Sequence, residues 1–298
     1  MELRNIAVIG AGTMGNGIAH VFAQSHFAVT IVDVNASQLQ RAMATISKNL
    51  DRQIAKGTIT EEDKRRTIGN IILQPNISEG VKNAELVIEA ATENINLKLE
   101  IFRQLDIDAP ATCILATNTS SISITKIAAI TKRPENVIGM HFMNPVPVMK
   151  LVEIINGYAT KKEVTETIIA ISKRLGKVPC AVNDYPGFIA NRILMPMINE
   201  AIYALYESVA GVEEIDTVMK LGMAHPMGPL QLADFIGLDV CLSILKVLHD
   251  GFGNPKYAPC PLLVNMVMAD KFGVKNGEGF YIYAAGSKEL VVSHRFRN

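Results

Sequence analysis

Ile6-Ala7-Val8-Ile9-Gly10-Ala11-Gly12-Thr13-Met14-Gly15 is an apolar run that breaks into three spaced glycines, and Ala28-Val29-Thr30-Ile31-Val32 is a second apolar run that ends on Asp33. Such glycine spacing is common in itself. Its context here, with a strand before, a helix after and an acid at the tip of the next strand, gives it mechanical meaning. Gly10 suits the tight turn, Gly12 lets a pyrophosphate approach the main chain, and Gly15 lets helix and strand pack closely. The N–H groups of the helix start, at Thr13 and Met14, then meet the phosphates. Asp33 would accept hydrogen bonds from an adenosine ribose and repel a 2′-phosphate, and neither Val34 nor Asn35 brings a cation to offset that repulsion. The pattern predicts NAD rather than NADP.

Length and composition bound the rest. A chain of 298 residues is long enough for one large core and a second domain. Lys plus Arg and Asp plus Glu both number 29, so the net charge is zero, which argues against a nucleic-acid binder. Apolar residues make up 49% but fall in short runs, well below the roughly 18 unbroken residues of a membrane span. The first strand starts within a few residues of Met1, which leaves no room for a signal or transit peptide. Cys113, Cys180, Cys241 and Cys260 lie far apart and read as free thiols of a reducing cytoplasm. The histidines show no metal-ligand spacing, so no metal is expected.

Strand and helix patterns alternate through the first half. Apolar residues at helical spacing (Leu39, Met43, Ile46, Leu50, Ile54) and a capping-box pattern at Thr60 and Asp63 predict a helical hairpin over about 37–68, inserted where a short connection would suffice. Leu86 to Ala90, Cys113 to Thr117, Val137 to His141 and Leu151 to Ile155 read as strands, and Lys162 to Leu175 as a helix. Beyond Asp184-Tyr185-Pro186-Gly187 the apolar period is helical (Ile189, Ile193, Met197, Ile202, Leu205). The expected architecture is α/β: a Rossmann-type doubly wound sheet over 1–184 carrying the hairpin, then an all-α domain over 185–298.

Ligands of such sheets lie outside the carboxyl ends of the strands. Asn118, Ser120 and His141 fall at or just past predicted strand ends. Glu153 interrupts an otherwise apolar strand, where a carboxylate needs a partner. His141 is the natural one, since the Pro-containing connection would fold the two strands together, and an imidazole held by a carboxylate is a general base.

These residues carry a resemblance. His141-Phe-Met-Asn-Pro-Val-Pro-Val-Met-Lys-Leu-Val-Glu153, preceded by Thr117-Asn-Thr-Ser-Ser121, resembles the signature of the 3-hydroxyacyl-CoA dehydrogenases. Pro186 to Arg192, His225 to Pro229, Ala233 to Asp239, Tyr257 to Leu262 and Gly277 to Tyr281 are similar to later motifs of the same family, so the resemblance spans nearly the whole chain. The length matches the short, monofunctional type without a fused hydratase domain.

The resemblance implies NAD-dependent interconversion of an (S)-3-hydroxyacyl-CoA, such as 3-hydroxybutyryl-CoA, with its 3-ketoacyl partner, in a cytoplasmic homodimer. His141 would exchange the proton of the 3-hydroxyl, with Glu153 holding its tautomer. Ser120 and Asn191 would contact substrate and the reacting region. Glu93, Lys98, Asn118 and Ser120 would line the ribose and nicotinamide side of NAD. By residue type alone, Glu93 reads equally as a helix-start carboxylate and Lys98 as a solvated cation. Lys56 on the hairpin would sit near the CoA phosphates. Asn49 stands where relatives often carry a serine facing CoA, and Val274 and Asn276 replace a basic and a small hydroxyl residue near Gly277. Two alternatives remain open: a dehydrogenase of a non-CoA 3-hydroxy acid of the L-gulonate type, and a non-catalytic NAD-binding protein.

Overall fold

A computed structural model of the protein describes residues 3–284, 286 and 289–297. The chain divides between Tyr185 and Pro186 into two compact units.

The first unit runs β1 (Asn5–Ile9), α1 (Thr13–Gln24), β2 (Ala28–Val32), α2 (Ala36–Ala55), α3 (Glu61–Gly69), β3 (Ile71–Gln74), α4 (Ile77–Val81), β4 (Leu86–Glu89), α5 (Ile95–Asp108), β5 (Ile114–Thr117), α6 (Ile124–Ala128), β6 (Val137–Phe142), β7 (Leu151–Asn156), α7 (Lys162–Arg174) and β8 (Val178–Asn183). The strands form one sheet in the order β3-β2-β1-β4-β5-β6-β7-β8. All neighbours pair in parallel except β6 and β7. Every residue of β4, β5 and β6 is buried, as expected of parallel strands covered on both faces. The strand order reverses between β1 and β4, and the crevice at that reversal is where such sheets take ligands.

Local chemistry sets the helix starts. Asn35 caps α2, its side-chain oxygen accepting from the main-chain N–H of Ser37 at 3.0 Å. Thr60 and Asp63 form a reciprocal capping box that opens α3. Leu39, Ala42, Ile46 and Leu50 bury one face of α2 in the core of the first unit, so the hairpin is anchored along its length. Phe142 does the same for β6: its ring meets Phe22 of α1 edge-on, with centroids 6.5 Å apart, and Phe22 meets Phe27 at 5.3 Å. Burial of each such ring is worth about 2–3 kcal/mol.

Two strands escape the sequence pattern, and both are at sheet edges. β3 has four half-buried or exposed residues with no alternation. β8 is mostly exposed and contains Pro179, a residue confined to edge positions because it cannot donate to a ladder.

The second unit holds α8 (Ala190–Tyr206), α9 (Val212–Thr217), α10 (Pro229–Ile236), α11 (Leu238–Phe252) and α12 (Pro261–Met268), followed by a two-residue ladder of β9 (Tyr281–Ile282) with β10 (Val291–Val292). That ladder makes the unit helical rather than all-α; two residues per strand are too few to leave a period in the sequence. Its core includes Met195, Ile198, Ile202, Leu245 and Leu263. Two buried aspartates tie it together. Asp216 accepts from the N–H groups of Leu230 and Gln231 at the start of α10, and Asp234 accepts from those of Phe280 and Tyr281. No helix among the described residues is long and apolar enough to cross a membrane.

Candidate active site

The glycine turn after β1 is shaped by close approach. Gly10 has φ of 99°, and a Cβ there would meet the carbonyl oxygen of Ala90 at 2.8 Å. A Cβ at Gly15 would lie 1.8 Å from the carbonyl oxygen of Gly10, so α1 can start only with glycine at that point. At Gly12, by contrast, a Cβ would meet nothing within 4 Å. Space therefore stands open over the first turn of α1, where no side chain caps the N–H groups of the helix start around Thr13 and Met14. This is a cradle for an anion such as a pyrophosphate.

Asp33 closes one side. Its carboxylate accepts from the main-chain N–H of Ala11 and of Asn35, both at 2.9 Å, which ties the glycine turn to the tip of β2. A carboxylate has about four acceptor positions, so these bonds still leave capacity for ribose hydroxyls. A cleft of about 330 Å³ runs along Gly10, Gly12, Asp33, Val34, Ala90 and Thr92 at the strand-order reversal. Val34, at its rim, is 83% exposed. The residues present fit a dinucleotide with an unsubstituted ribose.

Further along the sheet, β6 and β7 place His141 directly opposite Glu153 in the antiparallel register. Nδ1 of His141 lies 2.8 Å from Oε2 of Glu153, and both residues are buried. Cross-strand residues in this relation point to the same face, so the apolar strand tolerates Glu153 because its partner is built into the ladder. Asn118 fixes the end of β6. The β5–β6 ladder stops at Thr117 and Gly139, and beyond it the Asn118 side-chain oxygen accepts from the main-chain N–H of Phe142 at 2.8 Å. The β6–β7 connection is seated as well: Val146 packs where a Cβ of Gly17 would stand, and the buried Lys177 ammonium donates to the carbonyls of Val146 and Met149.

Ser120 lies in the turn after β5, and Glu93 organises that turn. Oε1 of Glu93 accepts from the Thr119 hydroxyl at 2.5 Å, the Ser120 N–H at 3.0 Å, and the Ser121 N–H and hydroxyl at 3.1 and 2.9 Å. Burial favours its neutral acid, but the Thr119 hydroxyl, the Lys98 ammonium and the Ser121 and Ser120 donors outweigh it and hold the carboxyl below the usual range. Glu93 is thus no simple helix-start carboxylate; Asn94 caps α5. Nor is Lys98 a solvated cation. It is 1% exposed, with Nζ 2.7 and 2.9 Å from the two oxygens of Glu89.

The other candidates lie elsewhere. Asn49 is half-buried on α2, and Lys56 is exposed at its C-terminal end. Asn191 belongs to the second unit, on the first turn of α8, where the N–H groups of Asn191 and Arg192 donate to the carbonyl of Gly187. Val274 is 39% exposed. Asn276 is absorbed into its own turn, its side-chain oxygen accepting from the Phe272 N–H at 3.1 Å and its amide donating to the Asp270 carbonyl.

Sequence reasoning misses Glu89, which is fully buried at the end of β4. The signal is available: a carboxylate closing the apolar run Leu86-Val87-Ile88 is as misplaced as Glu153 in its own strand. The Ala90-Ala91-Thr92 wall of the cleft has no comparable signal.

Comparison with known proteins is consistent along the chain. Residues 5–185 match the 3-hydroxyacyl-CoA dehydrogenase NAD binding domain, and residues 187–283 match the 3-hydroxyacyl-CoA dehydrogenase C-terminal domain. A probable 3-hydroxybutyryl-CoA dehydrogenase of Bacillus subtilis is 53% identical over 95% of this chain and 98% of its own length. The 3-hydroxybutyryl-CoA dehydrogenase of Bradyrhizobium diazoefficiens is 52% identical, covering 94% and 96%. The crystal structure of (S)-3-hydroxybutyryl-CoA dehydrogenase from Ralstonia eutropha superposes with a TM-score of 0.93 at 48% identity, over 95% of this chain and all of that one.

Proposed function

Since the chain belongs to the 3-hydroxyacyl-CoA dehydrogenase family, we propose that it is an NAD-dependent oxidoreductase interconverting (S)-3-hydroxybutyryl-CoA and acetoacetyl-CoA. The observation that carries the chemistry is the His141–Glu153 pair, opposed in register and 2.8 Å apart on the sheet that also bears the glycine cradle.

The glycine cradle and Asp33 would hold NAD, which would supply hydride acceptance from, or in its reduced form hydride donation to, C3 of the acyl thioester. The protein supplies the proton chemistry and the positioning. His141 takes the 3-hydroxyl proton through Nε2, since Nδ1 is engaged by Glu153. Glu153 fixes the tautomer and stabilises the imidazolium that results. In the reductive direction the same imidazolium gives the proton back to the 3-keto oxygen. Ser120 and Asn191 serve as hydrogen-bonding groups for the substrate oxygens, and Glu93 holds the Ser120 turn in place. Gly10, Gly12, Thr13, Met14 and Gly15 receive the pyrophosphate, Asp33 the adenosine ribose, and Glu93, Lys98 and Asn118 flank the nicotinamide half. Lys56 and Asn49 on α2 take the CoA moiety, an exposed ammonium suiting a phosphate.

The proposal includes a homodimer joined through the second unit, where Leu221, Met223, Phe235 and Met268 are each at least 60% exposed. It also includes a cytoplasmic setting, which suits four free thiols, three of them buried.

The test is NADH consumption with acetoacetyl-CoA, run beside free acetoacetate and beside NADPH. Turnover that needs both the CoA thioester and NADH is the expected result. Turnover of free 3-keto acids alone would assign the protein to a non-CoA substrate, and NADH binding without turnover would make it a non-catalytic binder.

A further inference from the structure

One buried charge in the first unit, Glu89, has no role in the chemistry above, and its partner is Lys98. Glu89 at the end of β4 is fully buried and Lys98 of α5 nearly so. Lys98 stands near the N-terminus of its helix, where the dipole disfavours a cation, and burial disfavours it further. Glu89 offsets both, with Oε1 and Oε2 accepting from Nζ at 2.7 and 2.9 Å. The third ammonium donor goes to the Ala91 carbonyl at 3.3 Å. An ammonium has three donors, so these partners exhaust it. Glu93 is left 3.4 Å from Nζ, an electrostatic neighbour without a hydrogen bond from it.

The arrangement has two carboxylates for one ammonium. Glu89 is satisfied on all sides, since Ala91 N–H and the Thr117 hydroxyl also donate to it at 2.7 Å. The surplus negative charge is therefore carried by Glu93, which turns it toward the donors of Thr119, Ser120 and Ser121.

We propose that Glu89 is a positioning residue: it takes the hydrogen bonds of the Lys98 ammonium, holds the Lys98–Glu93 ion pair at its looser 3.4 Å, and so leaves Glu93 to shape the turn that presents Ser120. This rests on the proposed function, in which Ser120 meets the substrate. Without the charge at Glu89, the nearest anion for the Lys98 ammonium is Glu93. Closing that 3.4 Å pair into a hydrogen-bonded bridge would draw the carboxylate away from the Ser120 and Ser121 N–H groups, and the turn would lose its acceptor.

The test is a double-mutant cycle of Glu89→Gln and Glu93→Gln, read as kcat/KM for acetoacetyl-CoA with NADH at a temperature where each variant is folded by circular dichroism. Each single change is expected to lower kcat/KM by about tenfold or more, and the double variant to fall no further than the weaker single one, because both act through the same turn. A merely structural Glu89 would give losses that multiply, and that result overturns the proposal. So does a Glu89→Gln enzyme within about threefold of the parent. If Glu89→Gln does not fold, Glu89→Asp, which withdraws the charge by one methylene, enters the cycle under the same criterion. Failure of both to fold makes Glu89 a folding residue and ends the assignment. If the parent protein itself does not turn over acetoacetyl-CoA, the proposed function fails instead, and the cycle is read on NADH affinity by fluorescence, where the same non-additivity supports the role of Glu89 and additivity refutes it.

Discussion

His141 and Glu153 are twelve positions apart in sequence yet directly opposed across β6 and β7, with Nδ1 to Oε2 at 2.8 Å. The ladder fixes both main chains, so neither side chain has to search for the other. Replacing His141 by Gln keeps size and polarity but removes the base. The expected loss in kcat is about 10²–10⁴-fold, with NADH affinity unchanged by fluorescence titration. A loss below about tenfold would remove His141 from the role.

Glu153→Gln tests the other half of the pair. The amide still bonds the ring but no longer balances its charge, so kcat is expected to fall and the pH–rate profile to change. An unchanged profile would reduce Glu153 to a packing residue.

The two outer glycines of the turn do different work from the middle one, and alanine separates them. Gly15→Ala places a methyl 1.8 Å from a carbonyl oxygen and is expected to destabilise the first unit by about 3 kcal/mol. Gly12→Ala meets no protein atom, so its melting temperature should be unaltered while NADH affinity drops about tenfold. Equal stability losses for both would mean that the space over Gly12 is not a ligand cradle.

Cofactor choice rests on the tip of β2. Asp33→Ser with Val34→Arg removes the anion that faces the ribose and adds a cation at an exposed position. The ratio of kcat/KM for NADPH over NADH is expected to rise about tenfold or more; an unaltered ratio would refute the reading of Asp33.

His20 predicts a pH dependence of stability. It is fully buried on α1, Nδ1 has no hydrogen-bond partner among the described residues, and burial pushes the imidazole down to about 4 from an ordinary 6.5, with Gln24 opposing and Lys177 adding to the shift. The unfolded chain therefore binds a proton that the native one refuses, and stability falls as pH drops from 6.5 to about 4, by on the order of 3 kcal/mol. Urea midpoints across that window should show the loss, and His20→Leu should flatten it. A parallel loss in the variant would assign the effect to other groups.

How much of this is legible in the sequence depends on whether a residue breaks its local pattern. Gly10, Gly12 and Asp33 do so at the ends of apolar runs, and Glu153 does so inside one; each can be singled out before any coordinates. Lys98 cannot be read as buried, because a lone lysine early in a helix reads as solvated, and only the tertiary approach of β4 covers it. Glu89 breaks its run as visibly as Glu153 does, but no histidine stands near it in the sequence to suggest a partner. β3 and β8 are hidden for a different reason: edge strands bury too little to impose an alternating pattern. The hairpin of α2 and α3 is legible because both its buried face and its capping box are local.

The single reversal of strand direction between β6 and β7 has a further consequence. A strand joined by a right-handed crossover begins at the far end of the sheet from where its predecessor finished, so its early residues cannot stand beside the predecessor's last ones. By doubling back, the chain puts acid and base at one rim within a single contiguous segment of 20 residues, Val137–Asn156. The proton-handling apparatus is therefore a module: a short insert that could be grafted onto the border of another parallel sheet, with its internal spacing carried along intact.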